Sequence, residues 1–319
     1  IFIPMPRQLS YTDGIHHLHG KRLILLDAPL LGSLHFTASR LQRMITEKLC
    51  LDWEIVASPA TPASLLGLVL KVGSSQGVPA QGYELRIEPE KISILAPDEA
   101  GIFYGVCTLI QIIQQSGANL PCCFIRDWPD FPVRGVMLDI SRDKVPTMET
   151  LYAMVDLLAG WKINQLQLYT EHTFAYRQHP DVWSKASPMT GQEIIELDRY
   201  CKERFIELVP NQNSFGHMHR WLIHPQYASL AEVQGTFMAP WGPMEGPFSL
   251  CPTDPGSIEL IFSLYDELLP HFSSSMINVG CDETFDLGHG RSKEECERRG
   301  IGRVYLDFLL KIYARLKEK

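Results

Sequence analysis

Two adjacent carboxylates, Asp282 and Glu283, close the run Met276-Ile277-Asn278-Val279-Gly280-Cys281-Asp282-Glu283-Thr284. On a regular strand, neighbouring side chains point to opposite faces. Both acids reach one site only where the strand stops and the backbone swings into a loop, and Gly280 marks a place of close backbone approach. A carboxyl beside a second carboxylate in a partly apolar cleft holds its proton more tightly, because the neighbouring charge and lost hydration disfavour ionisation. That suits a general acid that protonates a leaving oxygen. The two-carboxylate glycosidase scheme wants its groups about 5 Å or more apart, on either side of the scissile bond. Adjacent residues do not straddle a sugar in that way, so one acid with one helper fits the spacing better. The same pair also suits a solvated strand end or a helix cap, and the surrounding elements must decide.

Four polar clusters follow four expected strands. Hydrophobic runs predict a buried strand over residues 135–140 and further strands over 165–169, 205–209 and 276–279, with helices over 148–159, 192–203, 257–269 and 304–316. Strands alternating with helices indicate βαβ units and a parallel sheet. In such sheets function gathers beyond the carboxyl ends of the strands. There the chain places Asp139-Ile140-Ser141-Arg142-Asp143, Tyr169-Thr170-Glu171-His172-Thr173, Asn211-Gln212-Asn213-Ser214-Phe215-Gly216-His217, and Asp282-Glu283. Their convergence on one rim favours a functional acid pair.

Ahead of this half lies a different rhythm. Residues 21–26 and 66–72 are predicted strands, 33–49 an amphipathic helix, 83–87 and 91–95 a hairpin, and 101–115 a helix with Ile102, Phe103, Val106, Leu109, Ile110 and Ile113 on its buried side. The segment from Arg126 to Pro132 holds two prolines and two acids in seven residues, and reads as a linker. The expected fold class is therefore α/β: a small α+β amino-terminal support domain (1–125) followed by a partial (βα)8 TIM barrel (126–319) with about four βα units. A closed barrel needs eight units and about 250 residues, so the chain reads as the amino-terminal part of a longer enzyme.

Composition narrows the function. At 319 residues with 45% hydrophobic and 21% charged residues, the chain can bury a full core. A formal charge of −8 and the lack of a Lys/Arg cluster argue against nucleic acid and favour a neutral or polar small molecule. The eight cysteines are scattered without C-x-x-C spacing, which predicts buried thiols, the Cys122-Cys123 pair included. No apolar run reaches membrane-spanning length. The default compartment is cytoplasmic, although a start at Ile1 rather than Met is compatible with a removed leader. Oligomerisation is left open.

The residues also carry a family resemblance. The runs Gly82-Tyr83-Glu84-Leu85-Arg86-Ile87 and Gly101-Ile102-Phe103-Tyr104-Gly105 resemble the amino-terminal domain of the family 20 glycoside hydrolases, the β-N-acetylhexosaminidases. Arg134-Gly135-Val136-Met137-Leu138-Asp139-Ile140-Ser141-Arg142 is similar to their first barrel strand, and Gly280-Cys281-Asp282-Glu283-Thr284 to their paired acid motif. The resemblance implies retaining hydrolysis of terminal β-linked N-acetylhexosamine (GlcNAc or GalNAc), in which the substrate's own acetamido oxygen attacks the anomeric carbon to form an oxazolinium intermediate. Glu283 would be the acid and later the base, and Asp282 would hold the acetamido N–H. Arg142 would grip sugar hydroxyls, the alternative being a salt bridge to Asp139 or Asp143. His217 would hydrogen-bond near Glu283, and Glu171 would contact substrate from the second-strand loop. A glycan terminus would be the partner, with no metal or organic cofactor. Glu171-His172-Thr173 and Asn213 depart from the commoner Asp-Asp pattern and resemble a divergent hexosaminidase D-like branch.

Two other readings compete. His217-Met218-His219 has the alternating spacing of metal ligands, with Asp282 as a third donor, which would suit a metal-dependent hydrolase. A truncated, non-catalytic carbohydrate-binding fragment would instead stack sugars on Trp183, Trp221 and Trp241. The related O-linked N-acetylglucosamine hydrolases use paired aspartates, against the Asp-Glu found here.

Overall fold

Alternating apolar residues build a mixed seven-stranded sheet in the first part of the chain. In this computed structural model, which describes residues 1–29, 31–58, 60–74 and 77–318, the elements are β1 (Gln8–His17), β2 (Leu23–Asp27), α1 (Leu31–Leu49), β3 (Glu54–Val56), β4 (Leu66–Val72), β5 (Tyr83–Ile87), β6 (Ile92–Ala96), α2 (Glu99–Ser116) and β7 (Asn119–Asp127). The strand order is β1-β7-β5-β6-β4-β2-β3. The expected hairpin is present, with Ile87 opposite Ile92 in an antiparallel ladder and Tyr83, Leu85, Ile87, Ile92 and Ile94 buried. Asp98 caps α2 by accepting the Gly101 N–H at 2.7 Å. A methyl group at Gly101 would drive into the Gly82 carbonyl, so glycine lets this helix start against the sheet.

The linker reading needs correction. Arg126 and Asp127 end β7, in register with Glu84 and Tyr83 of β5. Asp127 is buried and takes Lys162 Nζ at 2.8 Å, while Tyr83 Oη lies 3.0 Å from the same ammonium. A buried acid needs such partners, and composition alone does not reveal them. Strand β1 escaped the sequence reading because its side chains are nearly all exposed, leaving no apolar alternation. Seven cysteines are buried and Cys50 is exposed; all eight are free thiols.

The second part supplies β8 (Gly135–Asp139), α3 (Met148–Gly160), β9 (Gln165–Tyr169), α4 (Pro180–Trp183), α5 (Gly191–Lys202), β10 (Glu207–Val209), α6 (His219–Leu222), α7 (Pro225–Ala228), β11 (Thr236–Ala239), β12 (Gly242–Glu245), α8 (Pro255–Leu268), α9 (Lys293–Arg299) and α10 (Ile301–Lys317). Packing divides the chain into one unit of Ile1–Arg134, Ala153–Asn164 and Cys201–Ile206, and another of Gly135–Tyr152, Gln165–Tyr200 and Glu207–Lys319. In the second unit β10, β9 and β8 form a parallel sheet, Leu166 pairing with both Val136 and Leu208. The α/β, TIM-barrel-like arrangement matches expectation, and among the described residues the sheet stays open.

Two strand expectations change. β8 is not buried: among the described residues it pairs only with β9, and Met137 is 56% exposed. The fourth strand is reduced to a single parallel bridge between Asn211 and Asn278. There the Asn278 N–H donates to the Pro210 carbonyl and the Gln212 N–H to the Asn278 carbonyl, at 2.9 and 3.1 Å. The Ser214 N–H reaches the Gly280 carbonyl at 3.0 Å, so the segment still runs beside the loop that follows β10.

Candidate active site

Each loop beyond the sheet is fixed by short local contacts. After β8, Asp139 Oδ1 accepts the Ser141 N–H at 2.8 Å, an Asx turn that swings Arg142 outward. Ser141 Oγ then accepts the Glu171 N–H at 2.8 Å, tying the first loop to the second. The Glu171 carbonyl accepts from Trp221 Nε1 at 2.6 Å and from Gln212 Nε2 at 3.0 Å. Its carboxylate is thereby aimed at the rim.

At the rim, Arg142 Nη1 lies 2.8 Å from Glu171 Oε1 and 3.0 Å from Asp139 Oδ2, with its guanidinium 4.8 Å from the Tyr169 ring centre. Tyr169 Oη donates to Glu171 Oε1 at 3.0 Å. His217 Nδ1 stands 3.5 Å from that oxygen, and its Nε2 stands 3.1 Å from Glu283 Oε2 and 3.8 Å from Asp282 Oδ2. Phe248 meets the imidazole edge-on at 5.0 Å. One histidine thus joins a buried carboxylate to the acid pair, whose side chains are substantially exposed, 60% for Asp282 and 49% for Glu283.

Burial pushes the Glu171 carboxyl above its ordinary value, with Arg142 and the Tyr169 hydroxyl pulling back. Burial likewise pushes Tyr169 up to about 12, which keeps its hydroxyl a donor. His172, buried beside Arg220, is pulled down to about 4 and stays neutral. Among the described residues eight non-glycine positions have positive φ, and two of them, His217 at 58° and Glu283 at 53°, lie in this cluster. Non-glycine residues in that left-handed region cost on the order of 1–3 kcal/mol each and cluster at functional sites. Gly216 and Gly280 permit the close approach between the two loops, since a methyl at the first would strike the Asp282 carbonyl and at the second the Asn213 side chain.

All five residues expected at the site, Arg142, Glu171, His217, Asp282 and Glu283, meet in one continuous cluster. The metal-ligand spacing does not produce a shell. His219 sends Nδ1 to the Pro247 carbonyl at 2.9 Å, and among the described residues no three His, Cys, Asp or Glu side chains group as ligands. The aromatic-platform reading loses Trp221, which is fully buried. Trp183 donates Nε1 to the Tyr176 carbonyl, and Trp241 is 64% exposed against Phe285. Sequence reasoning placed Tyr169 and Ser141 on the rim without giving either a role, and it missed Phe248. A tyrosine two positions before Glu171 carries its own signal, because residues i and i+2 of a strand share a face; nothing local announces Phe248. A cavity of about 250 Å³ opens among Arg142, Glu171, His217, Arg220 and Phe248.

Residues 2–128 match the sequence model described as Glycosyl hydrolase family 20, domain 2, and residues 131–300 match Glycosyl hydrolase family 20, catalytic domain. The chain belongs to glycosyl hydrolase family 20. Among relatives of this family 20 chain is a β-hexosaminidase of Porphyromonas gingivalis, 26% identical over 309 residues, 88% of this chain and 38% of that protein. Hexosaminidase D of Homo sapiens is 25% identical over 193 residues, 59% of this chain and 37% of that protein. The solved chitobiase of Flavobacterium johnsoniae shares the fold with a TM-score of 0.82 at 20% identity, over 99% of this chain and 51% of that one. The family 20 chain therefore spans about half, or less, of these relatives.

Proposed function

We propose that this chain carries the acid centre of a retaining β-N-acetylhexosaminidase that works by substrate assistance. The observation that supports it most is His217 shared between Glu171 and the Asp282–Glu283 pair. With Nδ1–H directed at the Glu171 carboxylate, Nε2 keeps a lone pair for the proton of Glu283; once Glu283 has given that proton away, the imidazole can take up another and stabilise the carboxylate left behind.

In the proposed reaction the acetamido oxygen of a terminal GlcNAc or GalNAc attacks its own anomeric carbon as the bond to the leaving oxygen breaks, and that oxygen takes the Glu283 proton. The product is a cyclic oxazolinium, whose N–H hydrogen-bonds the Asp282 carboxylate and whose positive charge that carboxylate balances. Water then adds to the anomeric carbon from the face the leaving group vacated, giving its proton to Glu283 and reopening the ring with the original configuration. The Arg142–Glu171 pair presents a donor and an acceptor side by side, which suits vicinal sugar hydroxyls. No step calls on a metal or organic cofactor.

The test is an assay with nitrophenyl β-N-acetylglucosaminide, made on this chain and on a version lengthened to the span of its relatives. The expected outcome is release of the β-anomer first, with turnover lost when the 2-acetamido group is replaced by hydroxyl. Initial release of the α-anomer, or equal turnover of the 2-hydroxyl sugar, would contradict it.

A further inference from the structure

The loop behind the acid pair is gripped by a carboxylate that the mechanism above does not use. Glu232 is 1% exposed. Its Oε1 accepts the N–H groups of Gly288, Gly290 and Ser292 at 3.2, 3.1 and 3.1 Å and the Ser292 hydroxyl at 2.7 Å. Converging backbone donors of this kind form an anion-binding nest, here filled by the protein's own side chain. From Glu283 the chain descends to that nest through three successive turns, Phe285 N–H to the Glu283 carbonyl, Leu287 to Thr284 and His289 to Asp286, at 2.8, 3.2 and 3.0 Å.

The same grip reaches the His217 loop. The Glu232 N–H donates to the Ser249 carbonyl, and the Ser249 N–H donates to Asp286 Oδ2, each at 2.9 Å. On either side of Ser249, the Phe248 carbonyl accepts the Met218 N–H and the Leu250 N–H donates to the Phe215 carbonyl, at 2.9 and 3.0 Å. Residues 248–250 are therefore a shared staple between the loop that carries His217 and the loop that carries Glu283. Both of those residues sit in left-handed backbone, a conformation that persists only where its surroundings impose it.

We propose that Glu232 is a positioning residue that, through the 285–292 loop and the 248–250 staple, holds Glu283 against His217. This rests on the reading of Glu283 as the acid. Glu232→Gln keeps the shape and can keep its carbonyl oxygen on the donors, but it removes the charge that strengthens those bonds and puts an NH2 where Oε2 accepts the Ser292 N–H at 3.2 Å, so the grip loosens.

The experiment follows the His217 imidazole signals by NMR across pH, beside kcat and KM for nitrophenyl β-N-acetylglucosaminide. His217 is faced by Glu171, Asp282, Glu283 and Tyr169, so its titration curve reports the placement of Glu283. In Glu232→Gln the curve should shift while amide signals of residues 1–134 stay in place, and kcat should fall about ten- to a hundredfold with KM within about twofold, the scale of a small misplacement. Ser292→Ala, which removes one donor, should shift the curve in the same direction by less, and carries the test if Glu232→Gln does not fold. A His217 curve that superimposes on the wild type in the folded variants overturns the proposal, whatever the turnover. A shifted curve in a chain whose lengthened form never hydrolyses the glycoside upholds the grip and defeats the hydrolase reading instead.

Discussion

At the scale of single residues, the site contrasts charges left in water with polar groups withdrawn from it. The Asp282 and Glu283 side chains are 60% and 49% exposed, while Glu171 and His172 are buried. His172 gives a sign that can be checked. With its folded value pulled down to about 4 from 6.5, the native state binds its proton later than the unfolded chain. Its contribution to stability is therefore complete above pH 6.5 and is lost as pH falls toward 4. His172→Phe should flatten that part of the curve, as read by urea unfolding at a series of pH values; an unchanged slope between pH 6.5 and 4 would contradict the assignment. The placement of Arg142, Glu171, His217, Asp282 and Glu283 on one rim was legible because each lies in a polar stretch beyond a predicted strand, while the role expected of each came from the family resemblance. Glu232 was not legible, because it lies 17 residues before Ser249 and more than 50 before its nest, and only folding brings those donors together.

At the scale of elements, the helices were the most legible part and the strands the least. The helices α3, α5, α8 and α10 begin and end within a few residues of the expected positions because each carries a sustained apolar stripe. Residues 276–279 read as a strand from composition, yet only Asn278 completes a bridge. Strand identity depends on partners that no local pattern supplies. What this segment does instead is bring its carbonyls against the loop after β10, a contact that depends on absent side chains. Gly216→Ala should push the two loops apart, lowering turnover at least tenfold and stability by about 1–3 kcal/mol, the usual cost of overpacking. Kinetics together with a urea melt would measure this, and a variant matching the wild type in both would refute the close-approach argument.

At the scale of the whole molecule, the chain packs into two units. In the first, Lys162 is buried and burial pulls its ammonium downward, with Asp127 opposing. Removing one partner strands the other charge, so Lys162→Met should destabilise that unit by about 3–5 kcal/mol, and adding Asp127→Leu should recover much of the loss. Equal destabilisation by the single and double variants, measured by thermal and chemical unfolding, would contradict that. In the second unit a cavity of about 990 Å³ is an apolar groove between Met276, Ile277 and Val279 and the Leu309, Ile312 and Tyr313 side of α10. No residue of the acid cluster lines it, so volume is a poor guide to chemistry here. The account stands on Glu283 as proton donor, and the most direct measurement compares wild type with Glu283→Gln over a series of aryl β-N-acetylglucosaminides. The expected result is a loss of about 10²–10⁴-fold for poor leaving groups that shrinks steadily as the leaving group becomes more acidic. A loss of the same size across the whole series would contradict it.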